Sequence, residues 1–373
     1  MYKAISKVRR QMLKKNFDAI LVSSVPNITY LTGFSNFSKD EREAYLLITQ
    51  NQNYILTDGR YSEAVKSKIK NFKLIEISSK RTFEKALKTL AKKHKIKRVG
   101  FDHHNITVAE HKKFSSVFKT IKHFDIDNLR AIKSNQEILA IEKACKLGDE
   151  TFKYILNRIK SGITEKQLAF EIEFFIKKAG GDISFPPIVA FGKNSAIPHH
   201  KSSDKRLKNN DQILLDFGTK VNNYCSDMTR TVFFAKPTLE QKKMYQTVLE
   251  AQKRAINALT SDDGPERSRR NSSEVESIEI EAKNIDKIAR DHIISKGFPT
   301  IPHSLGHGIG LEVHEAPHLS PKSKDILKPR MVFSVEPGIY IPGFGGVRIE
   351  DVVVLEKSGP RLLTNSPKGL VGM

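Results

Sequence analysis

An α/β domain followed by an α+β domain is the fold this sequence predicts, and three observations carry that expectation. The chain has 373 residues, more than one hydrophobic core usually organises, so two domains are the default. Residues 1–130 alternate short apolar strands with amphipathic helices, the pattern of an α/β unit. Residues 131–373 follow another rhythm, a helix pair and then a hairpin, repeated once, which suggests two related halves.

In the first unit, MYKAISKVRRQMLKKNF reads as a basic amphipathic helix running into the strand DAILVSS. AYLLITQ, NYILTDG, KLIEIS and RVGFD are further short strands, with helices such as Phe83–Arg98 between them. Asp125–Ser134 has the character of a linker. Gln136–Lys160 and Glu165–Lys178 are strongly periodic helices, and Thr164 is placed to cap the second. Strands are expected at Ile188–Phe191, Ile213–Phe217 and Tyr224–Phe234, helices at Leu239–Leu259 and Ile278–Lys296, and a β-rich end over Val332–Val354. One stretch, Ser261–Ser277 (SDDGPERSRRNSSEVES), is polar and Ser-rich, with Arg267, Arg269 and Arg270 where the chain otherwise uses Lys. It reads as a solvated, disordered insertion that carries none of the chemistry.

Composition excludes several classes. No apolar run approaches the roughly 20 residues that span a bilayer, and the N-terminus lacks the apolar core of a secretory signal. With two cysteines, Cys145 and Cys225, there is no disulfide framework, which fits a reducing cytoplasm. The net charge of +21 is concentrated in residues 1–130, where 27 Lys and Arg face 12 Asp and Glu, a net +15. These charges are mostly Lys on amphipathic helices without interleaved aromatics, so they read as a solvated surface rather than a nucleic-acid site.

The chemistry lies in QILLDFGTKVNNYCSDMTRTVFF. Folding this hairpin about a turn at Lys220–Asn223 sets Asp216 opposite Asp227, where Cβ atoms are roughly 4.5–5.5 Å apart and like charges repel. Such a pair requires a shared proton or a cation. Downstream lie His303, His307 and His314 in HSLGHGIGLEVHE, Glu336 in FSVEPGIY and Glu350 in GGVRIEDVVVL. Two Asp, two Glu and one His form a hard, oxygen-rich set suited to a pair of divalent ions, with Mn²⁺ first among Mn²⁺, Co²⁺, Fe²⁺ and Zn²⁺. Cys225 lies two residues before Asp227 and reads as packing.

With Asp216 in LLDFG, Asp227 in SDMTRT, His307 in GHGIGLEVHE, Glu336 in EPGIY, Glu350 in GVRIED and His199 in IVAFGKNSAIPHH, the chain resembles the creatinase/aminopeptidase "pita-bread" metallopeptidases, specifically the Xaa-Pro aminopeptidases and dipeptidases. NITYLTGF and LTDGRYSEA extend the likeness to the family's creatinase-like N-terminal domain. The resemblance implies domains at 1–130 and 131–373, and the second would be a pita-bread catalytic domain with two pseudo-symmetric halves. It further implies that Asp216, Asp227, His307, Glu336 and Glu350 hold two metal ions, Asp227 and Glu350 bridging them. A metal-bridging hydroxide would attack the scissile carbonyl while Glu336 carries the proton to the leaving proline nitrogen. His199 and His314 would contact the tetrahedral intermediate. His303 would line the proline pocket, and Arg348, grouped with it as substrate-binding, would orient a ligand carboxylate from behind. His200 reads as a satisfied structural histidine.

The activity so implied is Xaa-Pro aminopeptidase, acting on proline-containing peptides as a cytoplasmic homodimer with neither membrane nor nucleic acid as partner. An Xaa-Pro dipeptidase (prolidase) is the alternative. Methionine aminopeptidases normally lack the N-terminal domain, and a non-catalytic binding protein on this fold would be expected to have lost a ligand.

Overall fold

The computed structural model describes residues 2–102, 104–260 and 280–369. The Ser261–Ser277 stretch lies outside the described residues. The chain divides into two compact units, Met1–Arg130 and Ala131–Met373.

The first unit is built on a mixed six-stranded sheet of β1 (Ala19–Val22), β2 (Ala44–Thr49), β3 (Asn53–Asp58), β4 (Lys73–Ile77), β5 (Arg98–Phe101) and β6 (Thr120–His123), ordered β4-β3-β2-β1-β5-β6. Strand alternation sends successive side chains to opposite faces, and here both faces are covered. Ile20, Val22, Leu46 and Ile48 join one core cluster, while Ala19, Leu21, Tyr45 and Leu47 join the other. Helices α1 (Tyr2–Lys14), α2 (Val25–Thr32), α3 (Gly59–Lys68), α4 (Phe83–Lys93) and α5 (Val108–Ser115) supply the covering layers. The NITYLTGF segment falls in and just after α2, capped by Ser24 and closed by Gly33 at φ 77°. A short helix, α6 (Asp127–Ala131), occupies the expected linker.

In the second unit α7 (Asn135–Leu156) and α8 (Glu165–Lys178) begin with capping boxes on Ser134 and Thr164. They pack on a sheet ordered β12-β9-β8, made of β8 (Ile188–Phe191), β9 (Gln212–Phe217) and β12 (Met228–Phe233). A smaller sheet joins β7 (Asp182–Ile183), β10 (Thr219–Val221) and β11 (Tyr224–Cys225). The second half repeats the plan. Helices α9 (Leu239–Asn257) and α10 (Ala282–Ser295) cover five strands ordered β15-β14-β17-β20-β21. Those strands are β14 (Gly306–Gly308), β15 (Glu315–Leu319), β17 (Val332–Val335), β20 (Asp351–Glu356) and β21 (Gly359–Leu362). Two short pairs complete it, β13 (Ile280–Glu281) with β16 (Ile326–Leu327) and β18 (Gly338–Ile341) with β19 (Gly345–Arg348).

Period-2 alternation places the site. Ile213, Leu215 and Phe217 of β9 pack into the core beneath α7 and α8, so Asp216 points to the other face.

The hairpin register differs from the expected one. Asp216 pairs with Thr229, not with Asp227. The turn is two residues long, Asn222-Asn223, both with positive φ (51° and 71°), as tight hairpin turns require. Val221 therefore pairs with Tyr224, and the centre shifts by one residue from that of a four-residue turn. Because the resulting slip is two residues, Asp227 keeps its face and lies diagonal to Asp216 rather than opposite it.

Candidate metal centre

Each acidic residue of the site sits at the edge of an apolar strand. Asp216 is in β9, Asp227 immediately precedes β12, Glu336 follows β17, and Glu350 falls between β19 and β20. Asp216, Asp227 and Glu350 are 7%, 5% and 2% exposed, so three carboxylates are nearly withdrawn from water. Backbone bonds fix their origins. Glu350 N donates to Thr229 O at 3.1 Å, and Glu336 N to Leu305 O at 2.8 Å.

Asp227, His307 and Glu350 bring one ligand atom each within 4.8 Å of one another. Glu336 joins them through Oε1, 3.2 Å from His307 Nε2, and His307 Nε2 lies 3.7 Å from Asp227 Oδ2. His307 Nδ1 donates to Gly308 O at 3.3 Å, which leaves Nε2 facing the carboxylates. Asp216 is held by Arg348 Nη2 in a short ion pair. Arg348 Nε donates to Thr229 Oγ1 (2.9 Å), and Nη1 to Tyr340 OH (2.9 Å) and Pro198 O (3.4 Å). Arg348 thus bonds the Asp216 carboxylate while its other nitrogens are held by Thr229, Tyr340 and Pro198.

The electrostatics are unbalanced. Burial pushes the carboxyl of Asp227 well up, and the neighbouring charges of Glu350, Asp216 and Glu336 add to it. Glu350 is raised well above its ordinary value by burial and then by Glu336 and Asp216. Asp216 is raised by burial, although Arg348 opposes the shift. Glu336 goes the other way: burial is outweighed by the hydrogen bond and charge of His307, and its pKa falls to about 2. His307 is correspondingly raised, its burial outweighed by Glu336. Asp227 Oδ1 and Glu350 Oε1 are buried, and no donor reaches either among the described residues. Buried carboxylate oxygens of this kind call for a cation or a proton. Two Asp, two Glu and one His around two unpartnered oxygens fit divalent metal.

The remaining candidates form the rim. His199 and His314 are exposed, and the rings of His307 and His314 are 4.2 Å apart. Burial of part of its ring, and then the His307 charge, bring His314 down to about 4, so its imidazole is neutral at pH 7. His303 is half-buried, with Nε2 2.8 Å from Tyr340 OH. His200 bonds Glu165 at 2.8 Å. Cys225 is buried in an apolar cluster with Cys145. Sequence reasoning missed Thr229, Ser334 and Tyr340. Thr229 Oγ1 donates to Glu350 Oε2 at 2.7 Å, and Ser334 Oγ to Glu336 Oε1 at 3.1 Å. Their signal was alternation: Thr229 lies two residues after Asp227, and Ser334 two before Glu336.

A buried centre of two Asp, two Glu and one His is, in its class, a candidate divalent-metal site. Residues 140–357 match the model of metallopeptidase family M24, and residues 5–132 match the creatinase/prolidase N-terminal domain. The Xaa-Pro dipeptidase of Pyrococcus horikoshii is 34% identical over 376 residues, covering 100% of this chain and 99% of that protein. Among solved structures, an Xaa-Pro dipeptidase from Bacillus anthracis superposes with a TM-score of 0.90 at 32% identity, covering 100% of this chain and 99% of the other. An X-Pro aminopeptidase from Thermotoga maritima gives 0.83 at 33% identity, covering 96% and 98%. The chain belongs to metallopeptidase family M24, with a creatinase-type N-terminal domain and a pita-bread catalytic domain. Among the described residues no helix is long and apolar enough to cross a membrane.

Proposed function

We propose that this chain hydrolyses the bond preceding proline at the N-terminus of short peptides, and that its preferred substrate is the Xaa-Pro dipeptide. The observation that carries a metal-dependent reading is the pair of buried oxygens on Asp227 and Glu350 that have no partner among the described residues. Proline specificity is supported by the activities for which the relatives are named. The residues alone do not separate the aminopeptidase, the reading first expected, from the dipeptidase. The dipeptidase reading draws on two of the three relatives described above, which carry that name, against one aminopeptidase.

Asp216, Asp227, His307, Glu336 and Glu350 would hold two divalent ions. When bound, such ions supply Lewis acidity and lower the pKa of water from about 15.7 toward neutrality. The protein's own groups do the rest. Glu336 Oε1 accepts from Ser334 and His307, so we assign proton transfer to Oε2, which would take a proton from the attacking water and pass it to the leaving proline nitrogen. That nitrogen is tertiary in the peptide and leaves poorly unless protonated; a positioned acid contributes about 10²–10⁴-fold. Neutral His314 would donate an N–H to the oxyanion developing on the carbonyl, and His199 would bind from the facing loop. His303, fixed by Tyr340, would contact the proline ring.

The test is turnover of Xaa-Pro against Xaa-Pro-Yaa-Yaa by metal-stripped protein with Mn²⁺ restored. The proposal expects metal-dependent cleavage of the dipeptide, at least tenfold faster than the tetrapeptide. Equal or faster tetrapeptide cleavage would make it an aminopeptidase, and no cleavage of either would refute proline specificity. The homodimer belongs to the same proposal, with sedimentation equilibrium as its test.

A further inference from the structure

We infer that Glu165 is a positioning residue of the active site, one that fixes the loop carrying His199; this rests on the role proposed for His199. Glu165 lies in the first turn of α8, and its side chain is wholly buried. Oε1 accepts from the backbone N–H of Phe191 and from Asn194 Nδ2, both at 2.8 Å. Oε2 accepts from His200 Nε2 at 2.8 Å, from Ser203 N at 2.9 Å and from Ser203 Oγ at 2.6 Å. All five donors belong to residues 191–203, and they bracket His199 on both sides. The helix adds two backbone attachments at the far end of the loop, Glu165 N to Lys205 O and Lys166 N to Ser203 O, both 3.1 Å.

An acidic residue in the first turn of a helix is favoured by the helix dipole wherever it points, and that role needs no burial. A carboxylate removed from water and met by five donors from one loop organises that loop. Burial opposes its ionisation, yet the hydrogen bonds from Ser203, Phe191 and His200 prevail and hold its pKa below the usual value.

On the opposite side the same loop is gripped at Pro198 O by Arg348, whose other nitrogen holds Asp216. His199 thus sits between an attachment to the metal-ligand network at residue 198 and an attachment to Glu165 at residue 200. With the carboxylate attachment gone, the loop keeps the Arg348 contact at 3.4 Å, the Gly346 N–H bond to Ser195 Oγ at 2.8 Å and the two backbone bonds from α8, and the segment between them that carries His199 is less firmly placed. Displacing a catalytic group by about 1 Å can cost roughly 10²-fold in rate, and supporting residues keep such groups within about 0.5 Å.

The test compares Glu165→Gln, His199→Ala and the double variant with the wild-type chain loaded with Mn²⁺. The amide of E165Q turns an acceptor into a donor facing other donors. The expected result is a kcat on Xaa-Pro at least tenfold lower, KM within threefold and full Mn²⁺ content. Amide hydrogen exchange over residues 192–203 should rise. In the His199→Ala background the same substitution should cost less than twofold, because residues acting through one group are not additive. Unchanged exchange in E165Q, or an equal loss of kcat with and without His199, would overturn the inference. If His199→Ala itself retained full kcat, the role proposed for His199 would fall and the inference with it; raised exchange would then show that the loop anchor is real but silent. Should E165Q not fold, Ser203→Ala removes one of the five donors and should shift exchange and kcat in the same direction by a smaller factor. No change in either would also refute it.

Discussion

Thr229→Val is the most informative single substitution at this site. The hydroxyl is fully buried. It donates to Glu350 Oε2 at 2.7 Å and accepts from Arg348 Nε at 2.9 Å, so it ties one expected metal ligand to the residue that holds another. Valine keeps the shape and removes both bonds. Glu350 then loses its hydroxyl donor while its second oxygen already has no partner among the described residues, and Arg348 Nε loses its acceptor. A hydrogen bond to a charged group is worth about 1.5–3 kcal/mol, which converts at about 1.4 kcal/mol per decade to roughly 10–100-fold. Partners behind metal ligands are typically worth about 10–100-fold in metal affinity or activity, so the two routes agree. The expected outcome is Mn²⁺ affinity lowered by at least tenfold in a calorimetric titration, with kcat recovering toward wild type at saturating metal. Mn²⁺ affinity within twofold of wild type would show that Thr229 does not hold Glu350 in place.

Asp227→Asn and Glu350→Gln should each abolish activity and lower bound metal together; full metal content in either would refute their assignment as shared ligands. Metal-free Asp227→Asn should also melt higher than metal-free wild type, because one buried like charge is gone, by about 2–4 °C if the gain is about 1 kcal/mol. His314→Ala should retain its metal while kcat falls about two orders of magnitude, as loss of a transition-state donor does; a change confined to KM would refute that role. Acid should weaken the N-terminal unit through Glu110, whose pKa is about 2 because hydrogen bonds from Arg42, Thr107 and Tyr45 outweigh its burial. A carboxyl depressed on folding stabilises fully above its unfolded pKa of about 4.3 and loses that contribution as pH falls toward its folded value. Wild type should therefore lose about 2–3 kcal/mol relative to Glu110→Gln between pH 5 and pH 2, and parallel pH curves for the two would refute it.

What the sequence disclosed and what it concealed divide along physical lines. Asp216, Asp227, Glu336 and Glu350 stand out because each is an acid in or at the edge of an apolar strand, an arrangement that costs stability unless something cationic is present. The helices from α7 onward are legible because their apolar stripes are long and their caps explicit, as at Thr164 and Thr238. The register of the hairpin was not, since it depends on whether the turn takes four residues or two, and the positive φ of both asparagines is a conformational fact that composition permits but does not require. Strand β6 escaped because an edge strand reading TIKH, partly exposed throughout, needs no apolar alternation. Thr229, Ser334 and Tyr340 escaped because a hydroxyl in a strand is compatible with plain packing until its partner is known. His200 read as structural, and its bond to Glu165 accounts for it. Nothing in the sequence pointed to Glu165 itself, because a glutamate in the first turn of a helix is ordinary.

The same division explains why the site could be read at all. A fold chooses residues that agree locally with their surroundings, and the exceptions collect where function demands them. Here the exceptions are consistent with one another. Burial and mutual repulsion push three carboxyl groups up. Arg348 is committed to Asp216, Tyr340 and Thr229, and His307 to Glu336. The protein's own cations are therefore too few for the acids they face, and two carboxylate oxygens have no donor among the described residues. Second-rank residues do not relieve that deficit. Thr229, Ser334 and Arg348 hold the acids in position, and Glu165 holds the loop opposite. Such a scaffold keeps like charges together against their repulsion, which makes sense where divalent ions provide the missing positive charge.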